Sequence, residues 1–75
     1  MPKSEWDLIL DDTLELIRQV SKHTSDPKLL RRLEYKMARV RHAIQHGSLA
    51  HLKNVRDEVD KILQQITMDK LKRNL

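Results

Sequence analysis

The chain has 75 residues, 15 Lys/Arg against 11 Asp/Glu, and a formal net charge of +4. It has no cysteine, which excludes disulfides and thiolate metal sites. This length fits one small domain, and the low content of Gly, Pro and aromatic residues is typical of a helical protein. Because no apolar run approaches the roughly 18 residues that span a bilayer, and no signal peptide is evident, we expect a soluble cytoplasmic protein without a membrane span.

The first predicted helix covers about residues 4–23. Ser4 is a suitable N-cap, because its hydroxyl can accept a hydrogen bond from the amide of Asp7. The helix should end near His23, since Thr24-Ser25-Asp26-Pro27 reads as a stop followed by a new start. Residues 1–25 carry three Lys/Arg against five Asp/Glu, a net charge of −2. The apolar stripe contains Trp6, Ile9, Leu10, Thr13, Leu16, Ile17 and Val20.

The second predicted helix covers residues 27–46, with Asp26 as N-cap and Gly47 as the left-handed residue after its end. It lies within the most basic part of the chain, because residues 26–47 carry six Lys/Arg against two Asp/Glu. Two stripes run along it, about 160° apart at 100° per residue. The apolar stripe contains Leu30, Leu33, Met37, Val40 and Ile44, and the basic stripe contains Lys28, Arg32, Tyr35, Arg39, His42 and His46.

The third predicted helix covers residues 49–72 and begins directly after Ser48, a suitable N-cap. Its apolar stripe changes phase after Ile66, and Met68, Leu71 and Leu75 then point to roughly the opposite side. Residues 68–75 are therefore either a frayed end or a second, amphipathic patch that contacts a partner. The earlier part of the stripe contains Leu52, Val55, Val59, Ile62 and Ile66, with Leu49 and Leu63 beside it.

Three helices with one apolar stripe each and short connections predict an all-α, antiparallel up-down-up three-helix bundle that forms a single domain over residues 1–75. The Gly47-Ser48 connection is so short that the second and third helices should form an antiparallel hairpin. The same stripes would also suit a dimer of hairpins, so both a monomer and a homodimer fit the pattern.

The basic stripe of the second helix is the main candidate for function. We expect a small non-catalytic interaction module, an adaptor or regulator, whose basic stripe binds an acidic surface of another protein. The alternative is a nucleic-acid-binding protein in which the same side chains contact the phosphate backbone. A helix-turn-helix fits poorly, because the helices are too long and the turn is too short. A solvated face without a partner would show the same composition.

Catalysis is not expected, and neither is a cofactor. The acidic side chains of the first helix lack a cleft that would exclude water, and a single glycine cannot form a phosphate-binding loop. His42, His46 and His51 have a spacing that zinc sites also show, but the pattern lacks an accompanying carboxylate, so surface histidines are the simpler interpretation. Three-helix modules serve many unrelated functions, and no motif here is specific to one family.

Overall fold

Three α-helices make up most of residues 3–73, which are the residues that the computed structural model describes. They are α1 (Glu5–His23), α2 (Pro27–His46) and α3 (Leu49–Arg73). The predicted three-helix bundle is confirmed, and each helix begins and ends within one residue of its predicted bounds. Within residues 3–73, no helix has an apolar stretch that would cross a bilayer.

The ends of the helices are fixed by side-chain and backbone hydrogen bonds. Ser4 Oγ accepts from the amide of Asp7 at 3.2 Å, and Asp26 Oδ1 accepts from the amide of Lys28 at 3.0 Å. Gly47 has φ 60° and ψ 30°, a left-handed conformation that costs glycine little. The amide of His51 donates to Ser48 Oγ at 3.2 Å. The α2–α3 turn is therefore defined locally by its own sequence.

The central helix of the bundle is α3, although α2 has the more pronounced sequence pattern. α3 packs along both other helices, whereas α1 and α2 contact each other little. α1 and α3 are parallel. Near their first residues Glu5 pairs with Lys53, and near their last residues His23 Nδ1 lies 3.0 Å from Lys70 Nζ. The core contains Thr13, Ile17 and Val20 from α1, Leu33, Val40 and Ala43 from α2, and Leu52, Val55, Val59 and Ile62 from α3.

One predicted core residue of α2 is wrong. Ile44 is 48% exposed, whereas its neighbour Ala43 is completely buried. The buried side of α2 is thus rotated by about 40° from the predicted stripe, as judged from 100° per residue. A small side chain at Ala43 permits close approach to α3 just before the tight turn. Earlier in α2, Lys36 and Arg39 turn towards α3, where both bind Glu58.

The change of phase near the end of α3 is confirmed for the residues that the structure describes. α3 continues as a helix to Arg73, and Met68 and Leu71 are 53% and 62% exposed. Leu75, the third member of the predicted patch, lies outside the described residues. The described part of this patch is an exposed helical surface with Lys70, Lys72 and Arg73 as its basic neighbours.

Candidate protein-interaction surface

The N-terminal half of α2 exposes a group of cations around one aromatic side chain. We call Lys28, Arg31, Arg32 and Tyr35 the basic face; all four are exposed, and Tyr35 is 67% exposed. Within residues 3–73, none of its three cations makes an ion pair. Arg31, Arg32, Tyr35 and Lys36 line a shallow depression of about 260 Å³. An acidic side chain placed there would meet guanidinium groups that make no ion pair with any carboxylate of residues 3–73.

Arg39, which the sequence places in the same stripe, has a different environment. Its side chain is 24% exposed and pairs with Glu58 of α3. Lys36 Nζ also donates to Glu58 Oε2, at 2.8 Å. The hydrogen bond from Lys36, together with the positive charges of Lys36 and Arg39, holds the pKa of Glu58 below its ordinary value. Arg39 therefore links α2 to α3, and less of its charge is available to a partner.

The three histidines of the predicted cluster lie together at the α2–α3 turn. His42 and His46 are exposed, with ring centroids 4.2 Å apart, and the ring of His51 lies 5.6 Å from that of His42. Nε2 of His51 is buried and has no hydrogen-bond partner in the described part of the chain. Among residues 3–73, no group of three or more His, Asp or Glu side chains is arranged to hold a metal ion. His42 and His46 instead extend the polar outer side of α2 towards Gly47.

Sequence reasoning missed two exposed cations of α2, Arg31 and Arg41. The predicted basic stripe lies opposite an apolar stripe that ends in Ile44, and neither arginine falls on it. Once Ala43 rather than Ile44 faces the core, the outer side of the helix turns by the same angle, and Arg31 and Ala38 move towards its middle. A search for the small residue nearest to the Gly47 turn would have indicated this rotation.

A groove separates the first half of α2 from the second half of α3. It has a volume of about 560 Å³, and its apolar side chains are Leu29, Ile62 and Ile66. Arg32 lies on the α2 side and Lys61 on the α3 side. Arg32 therefore borders both the groove and the depression of the basic face.

Most acidic side chains of α1 are bound by neighbouring side chains. Asp7 accepts a hydrogen bond from Ser4 at 2.9 Å, and Asp11 pairs with Lys3. Glu15 accepts from Arg18 at 3.0 Å and 3.1 Å, and this contact, with a further hydrogen bond from Gln19, lowers its pKa to about 2. A general acid works best with a pKa near the operating pH, so Glu15 is poorly suited to that role at neutral pH.

Comparisons with known proteins identify no relative: no protein-family model matches the chain, and neither curated proteins nor solved structures give a significant match. Functional inference therefore depends on the side chains described above.

Proposed function

We propose that this chain is a small non-catalytic interaction module, an adaptor or regulator of the cytoplasm, that binds an acidic surface of another protein through α2. The observation that supports this proposal best is the basic face. Three cations without an ion-pair partner in residues 3–73 surround a largely exposed tyrosine on one helix. Arg and Tyr are enriched where protein interfaces concentrate their binding energy.

The segregation of charge adds support. A different surface groove, between α1 and α3, is lined by Asp12, Asp57 and Asp60 with Arg56. One side of the protein thus carries cations that make no ion pair within the described part of the chain, and another side carries acidic groups. Such a distribution orients an approaching acidic partner and repels it from the wrong side.

The second candidate is a nucleic-acid-binding protein that uses the same basic face. Arg31, Arg32 and the exposed ring of Tyr35 are also groups that contact phosphates and stack on bases. Glu34, however, is exposed on the same half of α2 and lowers its positive charge. The two candidates differ in their response to nuclease and in how steeply affinity falls with salt.

Capture of partners from an extract of the native cells, with and without nuclease, tests the proposal. We expect the Arg31→Glu/Arg32→Glu variant to lose a protein that the unmodified chain retains after nuclease treatment. A matched control is Lys3→Glu/Lys22→Glu, which makes the same change in net charge at two exposed positions near the ends of α1.

The control variant should keep the captured protein, and circular dichroism should show both variants to be as helical as the parent chain. Loss of all captured protein on nuclease treatment would favour the nucleic-acid candidate. Equal capture by the parent chain and by Arg31→Glu/Arg32→Glu would contradict both candidates.

A further inference from the structure

The α2–α3 groove is a partly apolar surface, with three apolar side chains among nine lining residues, and the helices of the protein leave it partly open. Near the turn, Ala43 and Leu52 are completely buried. At the other end of the hairpin, Leu29 and Ile66 are only half-buried and line the groove. Between these ends, the long side chains of the Lys36–Glu58 pair occupy the contact between α2 and α3. The packing of α2 on α3 is thus tight at the turn and incomplete at the open end.

The length and volume of the groove suit a helical segment. Along α3 its lining extends from Glu58 to Asp69, about 17 Å at 1.5 Å per residue. A helix of about 11–14 residues would cover that distance. The volume of about 560 Å³ accommodates the apolar side chains of one helix face rather than a whole helix. Amphipathic helices commonly bind in such grooves through apolar residues spaced three and four apart.

The charges at the edges select the kind of helix. Within residues 3–73, neither Arg32 nor Lys61 makes an ion pair, and the two lie on opposite helices. The charge of Glu58 is balanced by Lys36 and Arg39. Asp69 accepts a hydrogen bond from the neutral amide of Gln65 at 3.1 Å and keeps its negative charge, so Arg32 and Lys61 leave the lining with a net positive charge. The two free cations favour carboxylates on both flanks of an apolar stripe.

We propose that this groove binds an amphipathic acidic helix of the partner protein, with its apolar stripe on Leu29, Ile62 and Ile66 and its carboxylates beside Arg32 and Lys61. This proposal rests on the proposed function and specifies the secondary structure of the partner's binding segment. It also assigns a role to Lys61, which does not belong to the basic face.

A synthetic peptide provides the test. The probe is a capped helical peptide of about 14 residues with leucines spaced three and four apart and glutamates on both flanks. One control peptide has lysine in place of glutamate, and the other has the same composition in scrambled order. Binding to the full chain is measured by NMR, from the methyl resonances of Leu29, Ile62 and Ile66 and the ring resonances of Tyr35.

We expect the glutamate peptide, and neither control peptide, to shift the three groove methyl resonances. Lys61→Glu should weaken binding at least tenfold, whereas Lys22→Glu, which changes a cation outside both the groove and the basic face, should weaken it less than twofold. Both positions are exposed, so both variants should keep the parent melting temperature.

Binding of the scrambled peptide with equal affinity, or no binding of the glutamate peptide, would overturn the groove proposal. Shifts of the Tyr35 resonances, with binding weakened by Arg31→Glu and unchanged by Lys61→Glu, would also overturn the groove proposal. That result would leave the proposed function in place. The proposed function fails separately, when Arg31→Glu/Arg32→Glu leaves capture of the partner unchanged.

Discussion

Reversing the charge of Arg39 should destabilise the fold, whereas the same change at Arg32 should not. Arg39 is 24% exposed and pairs with Glu58, whose side chain is 41% exposed. A hydrogen bond between charged groups contributes about 1.5–3 kcal/mol, and partial exposure reduces this to about 1 kcal/mol. Placing a glutamate beside Glu58 adds repulsion of about 1 kcal/mol in a largely solvated environment.

Arg39→Glu should therefore lower the free energy of unfolding by about 2 kcal/mol. In a domain of this size, this corresponds to a fall in Tm of about 8–16 °C. Arg32 lines an open groove and makes no ion pair within residues 3–73, so Arg32→Glu should stay within about 0.5 kcal/mol of the parent chain.

Thermal unfolding followed by circular dichroism at neutral pH and low salt measures both values. The double variant Arg39→Glu/Glu58→Arg restores an opposite-charge pair, and it should recover at least half of the lost stability. Equal melting temperatures for Arg39→Glu and Arg32→Glu would show that the Arg39–Glu58 pair does not stabilise the α2–α3 contact.

Three further predictions concern the packing, the turn and the response to acid. Leu52→Ala should lower the free energy of unfolding by about 3–5 kcal/mol in chemical denaturation, because Leu52 is completely buried. Ile44→Ala should lower it by less than about 1 kcal/mol, because Ile44 is 48% exposed, and equal losses would contradict the rotation of α2. Gly47→Ala should lower the free energy of unfolding by about 1 kcal/mol, because alanine is strained at a φ of 60°. The effect is one of backbone strain, since no atom of the described residues lies within 4 Å of the added Cβ. An unchanged free energy of unfolding in a denaturant titration would contradict this strain. The pKa of folded Glu58 lies below its ordinary value of 4.5, so the unfolded chain takes up the proton first as the pH falls. The stability that ionised Glu58 contributes is therefore complete above about pH 5 and is lost as the pH falls through the folded pKa. Glu58→Gln should therefore flatten the dependence of stability on pH below about pH 5, and an unchanged slope would contradict this assignment.

The number, order and bounds of the helices could be predicted because their determinants are local. Ser4, Asp26 and Ser48 cap the helices that follow them, and Gly47 has the left-handed conformation that its position after α2 suggested. Each of these signals depends on residues a few positions apart, so the chain specifies them without reference to tertiary packing.

The rotation of α2 could not be predicted from periodicity. Leu33, Val40 and Ile44 form a regular stripe, but the structure buries Ala43 in place of Ile44. The choice depends on how closely α2 approaches α3 at the turn and on the partner that Glu58 offers from the other helix. Both are tertiary effects, and hydrophobic content alone favours the larger residue at the wrong position.

The same limit applies to the candidate site. Helical spacing placed Lys28, Arg32 and Tyr35 on one side of α2, and the structure exposes all three. Helical spacing could not show that Arg39 pairs with Glu58 across 19 residues of sequence. Nor could it identify the α2–α3 groove, since a groove between helices depends on how tightly they pack at each end.

Photo-crosslinking at position 35 tests whether the basic face binds another protein. Tyr35→benzoylphenylalanine places a photoreactive ring in the middle of the basic face, and Leu8→benzoylphenylalanine places the same ring at an exposed position of acidic α1. The account predicts adducts with a protein at position 35 that survive nuclease, that disappear in an Arg31→Glu/Arg32→Glu background, and that are not formed from position 8. Adducts of equal yield at both positions, or adducts with nucleic acid alone, would contradict it.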